Sequence, residues 1–431
     1  MMRPPVHNAG EFDVVVCGGG PSGLVAAVSA ARCGCRTALV ERQGFLGGTA
    51  TGGLVVPISG FFHKGTQVVG GIAWEIVQRL EAMGAAQVEY PKGHVSVHPE
   101  YLKLVAQRIA VESKVVLFTN SYLCGCTAEN GRISQIHIAG KSGMEYIRGK
   151  CFVDATGDAD LCALVGVPLQ PDMGEMQPLS LCFLLENVDV STPLLRDCIH
   201  HNGKNGAPSC NAVIRDYLLQ CVQEGKIAQF GGPWFNSLIK GNTLAVNVTR
   251  AAADAVNRAE FTAAEMQLRE DMFAVVELLR QRFPEFRNCS IVSSGINAGV
   301  RESRRVLGLE TITGLDLLAG KMPECPAARC AHPMDIHNAC NSHQVLKQLD
   351  APAYVPHTAL IPAGTENLLV TGRCISADRD AIATIRVQAT VMSLGEAAGI
   401  MAAMSAIKHC TVSRILVSDL KSQFGNRQFV L

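Results

Sequence analysis

Three glycines and one acidic residue near the N-terminus have the spacing of a dinucleotide-binding turn. Gly18, Gly20 and Gly23 lie between a predicted strand and a predicted helix, and Glu41 ends the next predicted strand. Gly18 permits a tight turn, Gly20 lets the backbone approach a pyrophosphate, and Gly23 lets the helix pack against the strand. The N-terminus of the helix then faces the phosphates, and Glu41 can accept hydrogen bonds from an adenosine ribose. The pattern predicts that an adenine dinucleotide binds here.

A second glycine-rich loop, residues 42–53, follows Glu41 directly. An enzyme that binds only a nicotinamide dinucleotide has no need of this loop, whereas extended FAD must run past the first turn toward its isoalloxazine ring. Phe45 and Leu46 favour an ordered loop over a flexible linker. We therefore expect FAD. The residues predicted to contact it from the two glycine-rich stretches are Gly18, Gly20, Pro21, Ser22, Gly23, Glu41, Arg42, Gly47, Gly48, Thr49 and Ala50.

Three charged side chains are the main candidates for contact with a substrate or with the reacting part of the cofactor. Arg301 could bind a carboxylate through two guanidinium nitrogens, with a structural ion pair to Glu302 as an equal alternative. His357 could transfer protons, although a lone histidine is more often structural. Arg373 could contact either ligand. The weaker candidates are His63, Asn247, Arg250, Asp335 and His337.

Proline and cysteine dominate residues 321–341, which predicts a plain loop. Such a loop would hold Asp335 and His337 at the surface. Cys325, Cys330 and Cys340, with His332 and His337 between them, could hold a metal, but the prolines lead us to expect no metal site. The other cysteines lie mostly in apolar runs and are expected to be reduced.

The elements that position these residues predict an α/β protein with a mostly parallel sheet. A strand at 12–17, a helix at 24–32 and a strand at Thr37–Val40 form a βαβ unit. Helices are also predicted at 73–83, Pro99–Glu112 and 262–283, and a hairpin is predicted around Asn130 and Gly131. A Gly/Asn/Ser-rich stretch occupies 201–211. We predict a discontinuous FAD-binding domain of three layers at 1–165 and 354–431, with an inserted α+β substrate or cap domain at 166–353.

Charge and composition exclude several classes of function. Lysine plus arginine and aspartate plus glutamate number 38 each, so no net field favours nucleic acid. The apolar stretch 14–31 is broken by glycines and follows acidic residues, which is unlike a signal peptide. No apolar stretch of transmembrane length without charge is found, so we expect a cytoplasmic protein. The motifs of serine hydrolases, zinc proteases and P-loop nucleotide hydrolases are missing.

Eight segments together resemble the FAD-dependent oxidoreductase family within the glutathione-reductase-like flavoproteins, which are related to the flavin subunits of fumarate reductase and heterodisulfide reductase. They are 13–23, 41–53, 98–100, 153–160, 300–305, 356–360, 367–376 and 395–399. The segments cover nearly the whole chain in the order that the family shows. The resemblance implies an FAD enzyme with a Rossmann-like cofactor domain.

The resemblance also assigns roles to later residues. It implies that Thr156, Gly157 and Asp158 pass under the pyrophosphate, and that Leu123 lies near the adenine through its backbone. Gly372 and Arg373 would approach the pyrophosphate and ribityl chain. Gly395 and Ala398 would open or line a helix whose dipole faces the flavin. Fumarate-reductase flavin subunits often carry a histidine in the second glycine loop for covalent attachment. Here Thr49 and Thr51 stand in that loop, so non-covalent FAD is expected.

Three hypotheses about function follow. The first is an FAD-dependent dehydrogenase or reductase that oxidises or reduces a small polar organic substrate, such as a carboxylate, by two electrons. The second is an electron-transfer flavin subunit of a larger complex, and the third is a binding protein that uses FAD structurally. The electron donor or acceptor, the substrate and a homo-oligomeric state are left open.

Overall fold

The computed structural model describes residues 6–89, 93–171, 176–195, 211–238, 243–339 and 341–430. The predicted stretch 201–211 therefore lies outside the described residues apart from its last position. The described helices are α1 (Pro21–Arg32), α2 (Gly71–Ala82), α3 (Pro99–Glu112), α4 (Asp160–Val165), α5 (Asn211–Gln223), α6 (Arg258–Arg282), α7 (Gly314–Leu318), α8 (Arg379–Ile385), α9 (Gln388–Lys408) and α10 (Val417–Arg427).

The described strands are β1 (His7–Cys17), β2 (Thr37–Val40), β3 (Pro57–Ile58), β4 (Phe62–His63), β5 (Thr66–Gln67), β6 (Ala86–Glu89), β7 (His94–Val97), β8 (Val116–Phe118), β9 (Tyr122–Glu129), β10 (Arg132–Gly140), β11 (Gly143–Asp154), β12 (Phe183–Glu186), β13 (Phe230–Ser237), β14 (Thr243–Thr249), β15 (Ser290–Ser294), β16 (Pro326–Cys330), β17 (Met334–His337), β18 (Gln344–Lys347), β19 (Ala353–Pro356) and β20 (Leu368–Val370).

The main sheet brings the carboxyl ends of several parallel strands to one edge. Its strand order is β8-β2-β1-β11-β10-β9, and β20 pairs with the last residues of β11. The pairs β1–β2, β1–β11, β2–β8 and β11–β20 are all parallel. In β1, Val14, Val15 and Val16 are fully buried, as expected for a central strand with both faces covered. In open sheets of this kind, ligands bind at the carboxyl ends of the strands.

Two helices pack closely against each other beside this sheet because small residues face each other. A Cβ placed on Gly395 of α9 would lie 2.1 Å from the backbone oxygen of Ser22 in α1, and one on Gly399 would lie 2.3 Å from that of Ala26. Any larger residue would separate the helices. By length and composition α9 could cross a membrane, but 94% of its apolar window is buried inside the fold. It is therefore the central core helix of this domain.

A second, antiparallel sheet has the strand order β13-β14-β12-β15, and we call it the cap sheet. Side chains alternate between its faces. Phe235 and Val246, which are paired across β13 and β14, contribute to a separate hydrophobic core that includes α6. Trp234 and Asn247, which form the next pair along, line a cavity between this sheet and the main domain. The cap sheet thus has one face in its own core and one face toward the cavity.

The two hydrophobic cores divide the chain at different places from those expected. The larger core joins residues 12–167 with residues 306–429, and the second core contains residues 179–298. The prediction placed the return to the first domain at 354. In the structure residues 306–353 already pack on the first core, because Val306, Ala327, Cys330 and Met334 are buried there. The fold class, an α/β protein with a parallel sheet and an additional α+β region, is confirmed.

Most predicted elements are present, but the predicted loop at 321–341 is wrong. It contains β16 and β17. Pro326 begins β16, where the missing N–H does not interrupt the pairing with β19, and Pro333 lies just before β17. The prolines mark the ends of two short strands, a position that proline tolerates. This difference changes the surroundings of Asp335 and His337.

Candidate functional site

One large cavity extends from the first glycine turn to the cap sheet, and its volume is about 1040 Å³. This is near the upper end of the range of roughly 300–1,000 Å³ that is usual for ligand pockets. The predicted cofactor-binding residues that line it are Gly18, Gly20, Pro21, Ser22, Glu41, Arg42, Gly48, Thr49, Thr156, Gly157, Asp158, Gly372 and Arg373. Residues from three parts of the chain that are far apart in sequence therefore meet here.

The three glycines of the first turn have three different structural roles. Gly18 has φ +101°, and a Cβ on it would lie 2.5 Å from the backbone oxygen of Ala155. Gly23 packs so tightly that a Cβ would lie 1.8 Å from the oxygen of Gly18. Around Gly20, in contrast, no atom lies within 4 Å of the Cβ position. Gly18 and Gly23 thus shape the turn, and Gly20 leaves open space where a ligand can approach the backbone.

Helix α1 begins directly after this open space. Its N-cap residue is Gly20, and no side chain caps the helix. The first N–H groups of a helix carry a partial positive charge and lack partners within the helix. The open N-terminus of α1 is therefore suited to a pyrophosphate.

Glu41 lies at the end of β2 and is bonded to the turn itself. It is 8% exposed, and its two carboxylate oxygens accept hydrogen bonds from the backbone N–H groups of Gly19 (2.6 Å) and Gln43 (2.8 Å). A carboxylate oxygen has more than one lone pair, so Glu41 can still accept hydrogen bonds from ribose hydroxyls. These bonds also fix the carboxylate beside the cavity.

A second turn, at the end of β11, is held in place by Arg373. The Arg373 guanidinium forms an ion pair with Asp158 at 2.5 Å. It lies so close to Gly157, which has φ +82°, that a Cβ there would be 2.1 Å from a guanidinium nitrogen. Thr156 bonds to Asp154, which is fully buried. Arg373 therefore orders the turn that lines the cavity and carries a positive charge along its wall.

These features fit FAD. The open position at Gly20, the uncapped helix end and the fixed carboxylate of Glu41 provide for the pyrophosphate and the adenosine ribose. The second glycine loop continues the same wall, because Gly48 contacts Gly20 and lines the cavity. The N-terminus of α9 is also at the cavity through Val387 and Gln388. Gly47 and Ala50 do not line the cavity, and Gly47 instead makes the left-handed turn before Gly48.

Four other predicted site residues lie away from the cavity. Gly395 and Ala398 were expected to open or line a helix facing the flavin, but α9 begins at Gln388, and both residues lie in its buried middle. Gly395 serves the packing of α9 on α1 instead. Leu123 is half-buried in β9 and does not line the cavity. His357 also does not line it, because its backbone N–H and its Nδ1 are both directed at the backbone oxygen of Cys325.

Arg301 lies on the cap side of the cavity, and it meets a second buried arginine, Arg250, at one hydroxyl group; Arg250 itself does not line the cavity. Arg301 donates to the Ser180 Oγ at 2.9 Å and to the backbone oxygen of Pro178 at 2.7 Å. Arg250 donates to the same Ser180 Oγ at 2.5 Å. The ion pair between Arg301 and Glu302, which the sequence left as an equal alternative, is not formed, because Glu302 pairs with Arg305 instead. Arg301 lines the cavity, and its contact with a substrate or with the flavin stays a prediction.

Asp335 and His337 form a buried pair at the cavity. The His337 Nε2 lies 2.9 Å from the Asp335 Oδ2, and the Arg250 Nη2 lies 3.2 Å from the His337 Nδ1. Because the arginine can only donate, Nδ1 accepts and Nε2 carries the proton, so both ring nitrogens are occupied. Burial, followed by the charge of Arg301, lowers the pKa of His337 to about 3. The expectation that a loop would hold this pair at the surface is wrong, because both residues belong to β17.

His332 also lies at the cavity, as do His63 and His94. Its Nδ1 lies 2.8 Å from the backbone oxygen of Pro333, which can only accept, so Nδ1 carries the proton. No described residue bonds to its Nε2. Burial lowers the pKa of His332 below its ordinary value, although the nearby Asp335 opposes the shift. His332 is therefore a neutral base at neutral pH.

Two cavity residues, Arg386 and His332, were not identified as site residues from the sequence. Arg386 lines the cavity, donates to the backbone oxygen of Asp335 at 3.0 Å and lies 3.9 Å from its carboxylate. Its only signal was a position directly before a small-residue helix. His332 was considered only as part of a metal cluster. Among the described residues no group of three or more metal-ligating side chains is found, and Cys340 lies outside them.

A parallel sheet with a glycine turn, an acidic residue at the end of β2 and a large cavity toward a cap defines a dinucleotide-binding flavoprotein of the Rossmann type. The chain belongs to the FAD dependent oxidoreductase family, whose family model matches residues 13–424. It is a flavin enzyme, and FAD is its cofactor. Membership of the glutathione-reductase-like branch stays a prediction.

Relatives of known activity match shorter parts of the chain. Digeranylgeranylglycerophospholipid reductase 2 of Methanopyrus kandleri is 26% identical over 194 residues, which is 44% of this chain and 48% of that protein. Dihydrolipoyl dehydrogenase of Trypanosoma brucei brucei is 48% identical over 59 residues, 14% of this chain and 12% of that protein. The matches thus span half or less of the length of these relatives.

A solved structure with a similar fold is p-nitrophenol 4-monooxygenase from Pseudomonas putida. The TM-score is 0.52 at 10% sequence identity, and the match covers 96% of this chain and 84% of that structure. At this level of identity the comparison shows a shared fold alone.

Proposed function

We propose that this enzyme uses FAD, bound without a covalent link, for a two-electron oxidation or reduction of a small polar organic substrate held against the cap sheet. The observation that carries the proposal is the continuity of the cavity from the glycine turn to Trp234 and Asn247 of the cap sheet. A dinucleotide that begins at the turn leaves the cap side for a second, smaller molecule. FAD, when bound, supplies the two-electron acceptor or donor.

We assign to His332 the transfer of the proton that accompanies such a reaction, because no described residue bonds to its Nε2. When an alcohol or amine substrate is oxidised, its O–H or N–H proton must be accepted, and the neutral Nε2 of His332 can accept it. In the reverse direction the protonated ring returns the proton. His337 does not serve here, because both of its nitrogens are already bonded to Asp335 and Arg250.

A His332→Gln variant tests this proposal in single-turnover reduction of the bound flavin by substrate. We expect the rate to fall by about 100- to 10,000-fold, the usual contribution of a general base. In the wild type the rate should rise with pH as His332 loses its proton, with a midpoint below that of an ordinary histidine, because burial lowers this pKa. This fall in the rate at low pH, which we call the acid limb, should be absent in the variant.

His343 provides a matched control, because it is exposed in the same part of the chain and does not line the cavity. A His343→Gln variant should keep both the rate and the pH profile. If the His332→Gln variant retains a wild-type rate and the same acid limb, another group transfers the proton, and this assignment of His332 is wrong.

A further inference from the structure

We propose that Arg301 binds the carboxylate of the substrate in the cavity, with the buried charge of Arg250 directly behind it, so that the enzyme acts on a small organic acid. The inference rests on the proposed function and specifies the substrate of the same cavity. Three observations support it. The two arginines are buried, both donate to Ser180, and all their described hydrogen-bond partners are uncharged.

The two guanidinium groups are buried and close to each other. Arg250 is 5% exposed and Arg301 is 9% exposed. Because both donate to the same Ser180 Oγ, their charged ends converge on this hydroxyl group. Ser180 and Arg301 line the cavity, and Arg250 lies behind them. Two like charges repel each other more strongly in a buried site than in water. This arrangement is unfavourable unless a negative group is also present.

The contacts of the pair within the described residues supply no negative charge. Arg301 donates to the Pro178 oxygen and to Ser180, and Arg250 donates to Ser180, to the Thr249 oxygen and to the neutral His337. No described carboxylate lies within 4.0 Å of either guanidinium. Burial of a charge without a counter-charge is costly. A carboxylate ligand in the cavity would provide the missing charge.

The nearest buried carboxylate, Asp335, is already used by other groups. It accepts from His337 at 2.9 Å and from the Gln344 side chain at 2.5 Å, and Arg386 lies 3.9 Å from it. Burial alone would raise the pKa of Asp335, but the His337 hydrogen bond and the Arg386 charge hold it well below its usual range. Asp335 therefore balances Arg386 and leaves Arg250 and Arg301 in excess.

Arg250 is held in a fixed position before any ligand binds. A Cβ on Gly231 would lie 2.1 Å from its Nη2, so the guanidinium lies directly on the backbone of Gly231. It also lies 5.2 Å from the centre of the Trp234 ring, a cation–π distance. Burial and the nearby Arg386 lower the pKa of Arg301 to about 10, so Arg301 is still cationic at neutral pH. The pair is a preorganised cationic site, as carboxylate recognition requires.

The test is direct binding to the FAD-loaded enzyme, measured by calorimetry and by the change in flavin absorbance. The probes are acetate, propionate and benzoate, each compared with its neutral amide. We expect at least one acid to bind and its amide to show no binding at the same concentrations. Arg301→Met and Arg250→Met should each weaken binding of that acid by about 30-fold or more, as for loss of one partner of a buried charge pair.

Two further variants separate a role in binding from a role in folding. Arg301→Lys keeps the charge but loses the planar fork, and its affinity should lie between those of the wild type and the methionine variant. Arg269→Met removes an arginine from the exposed face of α6 in the same cap and should leave binding unchanged. FAD content and thermal unfolding show whether each variant is folded.

Three results would overturn the inference. They are equal binding of the acids and their amides, unchanged affinity in both methionine variants, and equally strong binding of sulfate or chloride, which would indicate a site for any anion. Binding is read without turnover, so the proposed function can fail separately. If acids bind as expected but no organic acid exchanges electrons with the flavin, the anion site stands and the proposed function falls.

Discussion

At the scale of single residues, the glycine turn separates residues that shape the protein from residues that make room for a ligand. Gly18 and Gly23 are enclosed by backbone atoms of the turn and of residue 155, whereas the Cβ position of Gly20 faces open space. Gly20 also has an extended conformation, with φ −68° and ψ −174°, that any residue can adopt. Substitutions at these positions should therefore have different consequences.

A Gly20→Val variant should lose FAD without losing its fold. The added side chain would occupy the approach to the helix N-terminus, so we expect FAD affinity to fall at least about tenfold. The free energy of unfolding of the apoprotein should stay within about 1 kcal/mol of the wild-type value.

In a Gly23→Ala variant the added carbon would meet the Gly18 oxygen at 1.8 Å, so the free energy of unfolding of the apoprotein itself should fall by about 2 kcal/mol or more. Denaturant unfolding and fluorescence titration with FAD measure both quantities. Equal loss of stability in the two variants would contradict this distinction.

The cofactor-binding residues could be predicted from the sequence to a much greater extent than the substrate-binding residues. Gly18, Gly20 and Glu41 act within one local βαβ unit, so their spacing along the chain carries their geometry. Arg250 and Arg301 are 51 positions apart and meet only through Ser180. Spacing along the chain holds no information about such a meeting. Arg301 and Arg250 were both named as candidates from the sequence, but their contact through Ser180 could not be predicted, and their role in substrate binding stays a prediction.

At the scale of elements, α9 carries a buried carboxylate that joins it to another helix. Glu396 is 1% exposed, and its Oε2 accepts the backbone N–H of Ile72, in the first turn of α2, at 2.8 Å. No side chain of α2 itself caps that helix, so Glu396 performs this task from a different element. Burial raises the pKa of Glu396 to about 7. The contact therefore changes its charge near neutral pH.

A Glu396→Gln variant should alter the pH dependence of stability. The carboxyl group loses its proton near pH 4.5 in the unfolded chain but only near pH 7 in the folded protein, so the folded state loses stability as pH rises between these values and stays less stable above them. Glutamine keeps an acceptor for Ile72 without the charge. We expect the variant to be more stable than the wild type by about 2 kcal/mol at pH 8, with the difference shrinking toward pH 5.

Urea unfolding at a series of pH values measures this effect. A Glu270→Gln variant, at an exposed position on α6, is the control and should give a curve parallel to that of the wild type. A constant difference between the Glu396→Gln variant and the wild type from pH 5 to pH 8 would show that Glu396 does not titrate in this range.

The predicted loop at 321–341 shows why short elements were harder to predict than long ones. The periodicity of α3 extends over 14 residues and predicts its bounds, whereas β16 and β17 have 5 and 4 residues. These strands are stabilised by pairing with β19 and β18 rather than by a local pattern. In the sequence, the prolines at the starts of these segments indicated a loop, and the segments were too short to indicate strands. Tertiary pairing therefore placed Asp335, His337 and His332 at the cavity.

At the scale of the whole molecule, the cavity exists because two hydrophobic cores meet along a polar boundary. A small apolar cluster that includes Val56 of the main domain and Leu184 of the cap sheet joins the two parts beside the cavity. The main domain lines the cavity with the glycine turn and Glu41, and the cap lines it with Arg301 and Trp234. We therefore place the proposed chemistry at the boundary between the two cores.

The most direct test of this account is the visible absorbance of the anaerobic, FAD-loaded enzyme during addition of a panel of small organic acids and neutral polar compounds. The oxidised enzyme is mixed with reduced compounds, and the dithionite-reduced enzyme is mixed with oxidised ones. We predict that at least one organic acid bleaches or restores the flavin absorbance, that its neutral analogue does not, and that denaturation releases the flavin. A flavin that dithionite reduces but that no compound in the panel reduces or reoxidises would contradict the account and would favour electron transfer to a protein partner.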